Sequence, residues 1–333
     1  MSHANISIFV PFMGCSNRCS FCNQHSITGQ AAVPHREDVI RAVETAVASP
    51  KYNGEDTELA FFGGSFTAIG REYMLELLDA AYGFVESGTI CGIRISTRPD
   101  CISDEVLTVL KRYGVTAIEL GTQSLCEDVL KLNKRGHSAA AVTDACRLIK
   151  AFGFELGLQM MTGLYGSSPE KDRYTAERIA ELKPNTVRIY PTITLKNTLL
   201  ESLYLSGEYV PPSLDETVEL CAELKEAFEA EGIRVIRLGL HSIDSSAYVA
   251  GPWHPAFGEM CESAAMLKRV KKLLGERGHY LISVNPRDVS KMTGQKKANI
   301  NKLFSLGYIC RVAADDGVMQ GNAVIRKDEG ICI

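Results

Sequence analysis

The chain has 333 residues, of which 45% are hydrophobic and 23% charged, and a formal net charge of −4. That balance is globular and leaves room for one large barrel-type α/β domain plus a small appendage; the negative charge argues against indiscriminate nucleic-acid binding. No apolar stretch approaches the length of a membrane span and no signal peptide precedes Ile6, so a cytoplasmic protein without a membrane partner is expected. Cys91, Cys101, Cys126, Cys146, Cys221, Cys261, Cys310 and Cys332 are scattered without paired spacing, which fits reduced thiols better than a disulfide scaffold.

In chain order, strand-like runs fall at 6–11, 58–62, 92–96, 116–121, 155–160 and 186–190. Helical periodicity fills the gaps at about 36–47, 72–86, 104–113, 138–152 and 170–182, and a sixth helix follows at 214–231. Gly114 and Gly153 stand at helix ends, and Ser103 is a candidate N-cap. This alternation predicts six βα units, an incomplete parallel barrel whose functional groups gather at the C-terminal ends of the strands.

The first of those ends carries Cys15, Cys19 and Cys22 in a C-x3-C-x2-C spacing. Three thiolates this close can wrap three corners of one [4Fe–4S] cube, which ordinarily takes four cysteine ligands, and so leave one iron open to a group that is not protein. A structural zinc site is the competing reading; it needs a fourth ligand, which His25 can supply. The other cysteines offer no second three-thiol loop, and the cluster reading is preferred.

After the second strand comes Gly63-Gly64-Ser65-Phe66-Thr67, where two glycines let backbone approach a ligand and Ser65 can meet a charged amine. Alone, a Gly-Gly pair is usually a turn. The third strand runs into Ser96-Thr97-Arg98-Pro99-Asp100, and the fourth into Glu119-Leu120-Gly121-Thr122-Gln123-Ser124, followed by Lys134-Arg135-Gly136-His137. Glu119 lies in an apolar strand, where a charge needs a partner or a ligand. Arg98 and Arg135, at neighbouring strand ends, are the expected partners, with the cofactor as the third candidate. Gln123 is a candidate for a ribose hydrogen bond or for local satisfaction. His137 reads as a helix-start residue before it reads as an acid or base.

From Gly251 onward 13 Lys/Arg face 8 Asp/Glu, a surplus of five, so the first 250 residues carry −9. A basic tail on an acidic body fits a polyanionic partner, with solvated lysines as the alternative. The expected domains are 1–240 for the barrel and 241–333 for a small α+β unit. That unit holds helical spacing at 257–274 and 288–306 (interrupted at Gly294) and strands at 280–284, 308–313 and 318–325. Its helix–loop–helix–strand stretch reads as KH-like, with Gly294-Gln295-Lys296-Lys297 in place of the G-x-x-G loop, or the unit is a lid over the barrel.

The cysteine spacing, with Phe21 just before the last cysteine, resembles the signature of the radical S-adenosylmethionine (SAM) enzymes. The resemblance implies a partial (β/α)6 barrel and a cluster whose open iron chelates the amino and carboxylate groups of SAM. One electron from a reductant such as ferredoxin or flavodoxin then cleaves SAM to a 5′-deoxyadenosyl radical, chemistry that belongs to the cofactor. It further implies that Gly63, Gly64 and Ser65 stand where the family holds the methionine amine, although Ser65 replaces a frequent Glu. Phe21 would contact adenine or pack in the core, and Arg98, Glu119, Gln123 and Arg135 would lie around the cofactor.

Four stretches carry a narrower likeness: Phe61 to Thr67, Ser96 to Asp100, Glu119 through His137, and Arg188-Ile189-Tyr190-Pro191-Thr192, with Thr198-Leu199 and Gly207-Glu208-Tyr209 after the last. Over roughly residues 5–240 the chain is similar to the radical SAM domain of the Elongator catalytic subunit and its stand-alone bacterial relatives. That subunit modifies the wobble uridine of tRNA, which implies RNA as substrate. The compact cysteine loop departs from the longer Elongator spacing, and about 80 residues after 250 are too few for an acetyltransferase domain. A small metabolite or tetrapyrrole substrate, as for coproporphyrinogen oxidase, and a non-catalytic cluster-bearing protein are the alternatives.

Overall fold

The computed structural model describes residues 4–10, 13, 15, 18–23, 33–240 and 243–328. Pro11, His25 and Cys332 lie outside the described residues, and with His25 the fourth ligand of the zinc reading. The chain divides into two compact units, Met1–Pro212 with Phe228–Pro252, and Ser213–Ala227 with Trp253–Ile333.

The first unit is built on strands β1 (Ala4–Val10), β2 (Thr57–Gly63), β3 (Gly92–Thr97), β4 (Val115–Gln123), β5 (Glu155–Thr162), β6 (Thr186–Pro191) and β8 (Arg234–Leu238), hydrogen-bonded in that order into one seven-stranded sheet. Every pairing is parallel. Parallel neighbours need crossovers, and helices supply them: α1 (Arg36–Val47), α2 (Arg71–Glu86), α3 (Asp104–Arg112), α4 (Glu127–Leu132), α5 (Ala139–Ala151) and α6 (Pro169–Glu181). After β6 come a two-residue strand β7 (Thr194–Leu195) and α7 (Leu199–Leu205), then α8 (Leu214–Ala230), most of which belongs to the second unit; β7 pairs with β9 (Tyr248–Ala250).

The sheet alternates as a parallel barrel must. Leu59, Phe61, Ile93, Ile95, Ile118, Leu120, Leu156, Leu158, Val187 and Ile189 are buried on one face, and the crossover helices bury Leu77, Leu78, Leu107, Leu110, Val142 and Ile149. Ser103, Ser138, Ser168 and Thr198 cap their helices by accepting from a backbone N–H three residues on, and Gly114 and Gly153 take positive φ at helix ends.

The partial α/β barrel with a small α+β C-terminal domain is the observed fold class, with a seventh strand beyond the six expected. β8 is short and reads Arg-Val-Ile-Arg-Leu, so its charges hide a strand that pairs only along β6.

The second unit packs α9 (Phe257–Leu273), α10 (Val289–Thr293) and α11 (Ala298–Ser305) with a three-stranded sheet of order β11-β10-β12: β10 (Gly278–Val284), β11 (Tyr308–Ala314) and β12 (Ala323–Lys327). Met266, Leu267, Val270, Ile282, Val284, Met292 and Leu303 form its core. The strand expected at 318–325 begins only at Ala323, because Val318 and Met319 belong to the turn that follows β11. Lys296 and Lys297 both take positive φ in the exposed loop between α10 and α11.

Candidate functional site: the cysteine loop and the strand ends

The cysteine loop follows β1, and the motif after β2 lies directly against it. Gly64 N donates to Val10 O at 2.8 Å and Ser65 N to Met13 O at 3.1 Å. A Cβ on Gly64 would run into the Met13 carbonyl, and Gly63 sits at φ +109° with its missing Cβ 2.9 Å from Val10 O. The close approach these glycines allow is therefore to the chain's own cysteine loop. Ser65, expected to offer its hydroxyl to an amine, is buried; its Oγ pairs with Thr97 Oγ1 at 2.9 Å and accepts from Arg98 N at 3.2 Å. A small hydroxyl fits that gap between β2 and β3, and Thr67 Oγ1, which also meets Thr97 Oγ1 at 2.6 Å, completes the link.

The far half of the loop is fixed from the other side. Ser20 Oγ donates to Asn133 Oδ1 at 2.6 Å, Ser20 N donates to Asn133 O at 3.2 Å, and Leu200 N donates to Ser20 O at 2.8 Å. Asn133, fully buried after α4, also donates to Val129 O and Tyr165 O. Sequence reasoning missed Asn133; its place just before Lys134-Arg135 was the available signal. Phe21 is half-buried and packs on Val129, Met161 and Leu164, so the packing half of its expected role is present.

Two guanidinium groups stand by the thiols. Arg135 Nη1 donates to Cys19 Sγ at 2.9 Å while its Nη2 donates to Gly121 O at 2.6 Å. Arg98 is clamped bidentately on Asp100 at 2.9 and 2.8 Å. Burial tends to raise the Asp100 carboxyl pKa, but Arg98 outweighs it and holds the group below its ordinary value. Partial burial, then the neighbouring Cys19, pushes the Cys15 thiol up, opposed by Arg98 and Arg135. Neither cysteine is in a disulfide.

Glu119 does not pair with Arg98 or Arg135 as expected. Its carboxylate takes Arg188 bidentately, at 2.6 and 2.8 Å, and Arg94 Nη1 at 3.5 Å. Arg94 also binds Glu58 at 2.8 Å and Glu155 at 3.3 Å, and Arg188 lies over the Phe62 ring at 5.1 Å from its centroid. The pairing follows from register: Arg94, Glu119 and Arg188 lie on β3, β4 and β6 and point to the same inner face, with Gly157 of β5 leaving the space between. Desolvation would weaken the Arg94 and Arg188 charges, but the surrounding carboxylates raise both pKa values.

Beyond Glu119, β4 breaks its register between Leu120 and Gln123, and Gln123 takes φ +65°. Its Oε1 accepts from Gln159 Nε2 at 3.2 Å, a local partner. His137 is buried with Nε2 3.3 Å from Thr122 O, and burial, then Arg135, drops its pKa to about 4, so the ring is neutral. Thr122 Oγ1, Arg135 Nε and His137 Nδ1, all around this strand end, are buried without a hydrogen-bond partner. Buried polar atoms are normally satisfied, so these three are departures from the usual pairing.

Among the described residues no three His, Cys, Asp or Glu side chains gather closely enough to hold one metal ion. No described helix is long and apolar enough to cross a membrane.

Known proteins share sequence and fold with this chain. A tRNA uridine(34) acetyltransferase of Dehalococcoides mccartyi is 28% identical over 253 residues, covering 66% of this chain and 55% of that protein. Human Elongator complex protein 3 is 32% identical over 190 residues, 51% of this chain and 35% of that one. The chain thus spans about half or less of the length of these two relatives, whereas an uncharacterised protein of Methanocaldococcus jannaschii, 26% identical, is matched over 79% of its length. The archaeal Elp3 of Methanocaldococcus infernus has the same fold, with a TM-score of 0.66 at 24% identity over 83% of this chain and 65% of that one. The Elongator likeness read in the motifs is borne out by these relatives. The model of the radical SAM C-terminal domain matches residues 184–269 and that of the radical SAM superfamily residues 9–179, so the chain belongs to the radical SAM superfamily of enzymes.

Proposed function

We propose that the chain binds a [4Fe–4S] cluster through Cys15, Cys19 and Cys22, cleaves SAM there, and modifies RNA, with tRNA as the substrate. The observation that carries the cluster assignment is the three-thiol loop held between Gly64 and Asn133 with the Arg135 guanidinium on Cys19 Sγ. Three thiolates and two nearby guanidiniums make a donor set suited to an anionic iron–sulfur centre. A cube's thiolates bind different irons, so they stand farther apart than ligands around one ion. Bound there, the cluster and SAM supply one-electron cleavage to a 5′-deoxyadenosyl radical, with a ferredoxin or flavodoxin as the class of reductant.

The chain's own residues prepare the site. Gly63 and Gly64 keep the β2 turn beneath the cysteine loop, and any contact of this motif with the methionine part of SAM comes from backbone, since the Ser65 hydroxyl is committed to Thr97 and Arg98 N. Arg135 neutralises charge at Cys19. Gln123, Thr122 and His137 offer polar atoms for the ribose side, and Phe21 closes the apolar wall. Glu119 acts from inside the barrel, bracing β4 through Arg188 and Arg94. The tRNA assignment is supported by the names of the relatives and by the surplus of cations after Gly251.

Anaerobically reconstituted protein with SAM and dithionite tests this reading by 5′-deoxyadenosine release, with and without bulk tRNA. Release stimulated by tRNA is expected. Release that tRNA leaves unchanged would refute the RNA substrate and favour a small molecule. A fully loaded, reduced protein that releases none would refute SAM cleavage itself.

A further inference from the structure

The sheet of the C-terminal unit has one covered face and one open face. Tyr280, Ile282 and Val284 of β10, with Tyr308, Cys310, Val312, Ala323 and Ile325, point into the helix-covered core. By strand alternation the open face carries His279, Leu281 and Ser283 in the middle, Ile309 and Arg311 on β11, and Val324 and Arg326 on β12. Ile309, Arg311, Val324 and Arg326 are exposed. Leu281 is in register with Arg311 on one side and Arg326 on the other, so two guanidiniums flank one apolar side chain across three strands. Their Cα atoms stand about 10 Å apart, two interstrand spacings. Arg277 joins them, because Gly307 has no Cβ and the Arg277 Cδ lies 2.8 Å from where one would be.

Part of the unit's other positive charge is paired, although Lys271, Lys272, Arg287, Lys296 and Lys297 also make no ion pair among the described residues. Lys225, Lys268, Arg269, Lys291 and Lys302, on its helices, each sit within 4 Å of a carboxylate. Arg277, Arg311 and Arg326 make no ion pair or hydrogen bond among the described residues, and all three are exposed. Asp328, whose backbone N donates to His279 O, brings an acid to the margin of this face. Three unpaired guanidiniums over an apolar floor complement a repeating anion. Among the described residues the face carries no Phe, Tyr or Trp, and its one ring is the half-buried His279 imidazole, so recognition would run mainly through phosphates.

We propose that the open face of the β11-β10-β12 sheet is a docking surface for the RNA phosphate backbone, with Arg277, Arg311 and Arg326 as its contacts. The choice of occupant rests on the RNA reading above. Three phosphate contacts imply salt-dependent, sequence-independent binding whose slope of log K against log salt is about −2.7 from this face alone.

The test measures bulk tRNA binding to the full chain by filter retention across about 50 to 200 mM salt. The variant R277Q/R311Q/R326Q should bind roughly tenfold or more weakly at low salt, with a slope shallower by about 2–3. The charge-preserving R277K/R311K/R326K variant should keep most of the affinity and slope. Equal affinity and slope for wild type and the glutamine variant would overturn the proposal, as would equal losses in the lysine and glutamine variants, since charge would then not be the cause. Unchanged tRNA binding with loss of binding to poly-glutamate would assign the face to an acidic protein and overturn it too. 5′-Deoxyadenosine release separates the two readings: tRNA that binds this face without stimulating release contradicts the substrate, and stimulation with unaltered variant binding contradicts the face alone.

Discussion

Replacing Glu119 by Gln removes one negative charge from the interior of the barrel, and the geometry says where the cost falls. Arg94 keeps Glu58 at 2.8 Å and Glu155 at 3.3 Å, so its charge stays compensated. Arg188 loses its bidentate carboxylate and keeps only the Phe62 ring and Tyr190, with 12% of its side chain exposed. Stranding one buried partner of an ion pair costs about 3–5 kcal/mol. Because a neutral amide can still accept one hydrogen bond, about 3–4 kcal/mol is expected here, a fall in melting temperature of roughly 6–16 °C for a unit of this size. Replacing both partners, Glu119→Leu with Arg188→Met, should recover most of the loss, because no charge is stranded. Urea unfolding of the protein without cofactors reads the effect directly. A Glu119→Gln protein within about 1 kcal/mol of wild type, yet with weakened SAM affinity, would refute the bracing role and make Glu119 a cofactor ligand.

Three further outcomes follow from named contacts. Gly64→Ala forces a methyl group against the Met13 carbonyl, so the cysteine loop must shift; overpacking of this kind costs about 1–3 kcal/mol, and iron bound per chain after reconstitution should fall. Full iron loading would show that the loop position is not what the glycine protects. Arg135→Gln removes the cation at Cys19 and should move the cluster's reduction midpoint to more negative potential in an EPR-monitored titration; an unmoved midpoint would leave Arg135 only its brace on Gly121. Asp172 is buried beneath Ser167 Oγ and Gly163 N, and burial lifts its carboxyl from 3.8 to about 6. The folded state therefore holds this proton more tightly than the unfolded one, and the group's contribution to stability declines as pH rises through that window. By linkage the difference between wild type and Asp172→Asn should change by about 3 kcal/mol between roughly pH 3 and 8, to the disadvantage of wild type. A constant difference would contradict it.

The fold was legible where local signals are strong. Helix α1 has the bounds its periodicity predicts, and the serine caps and glycine stops end the others within a residue or so. The elements that escaped are short or charged: α4, α7, β7 and β8 lack enough residues for a period to register. At the site, spacing alone singled out Cys15, Cys19 and Cys22, and Glu119 was flagged as a charge in an apolar strand. Its partners were not legible, because Arg188 is 69 positions away and meets it only through the register of β4, β5 and β6. Ser65 misled for a related reason. Its hydroxyl reads as a ligand until β3 is placed beside β2 and Thr97 takes its hydrogen bond.

The most direct measurement of the central claim is EPR and iron analysis of anaerobically reconstituted, dithionite-reduced protein before and after adding SAM, beside Cys19→Ala. The account predicts about four irons per chain, a [4Fe–4S]+ signal that changes when SAM reaches the open iron, and neither in the variant. A bound zinc ion, a cluster signal indifferent to SAM, or a Cys19→Ala protein that loads and responds like wild type would contradict it.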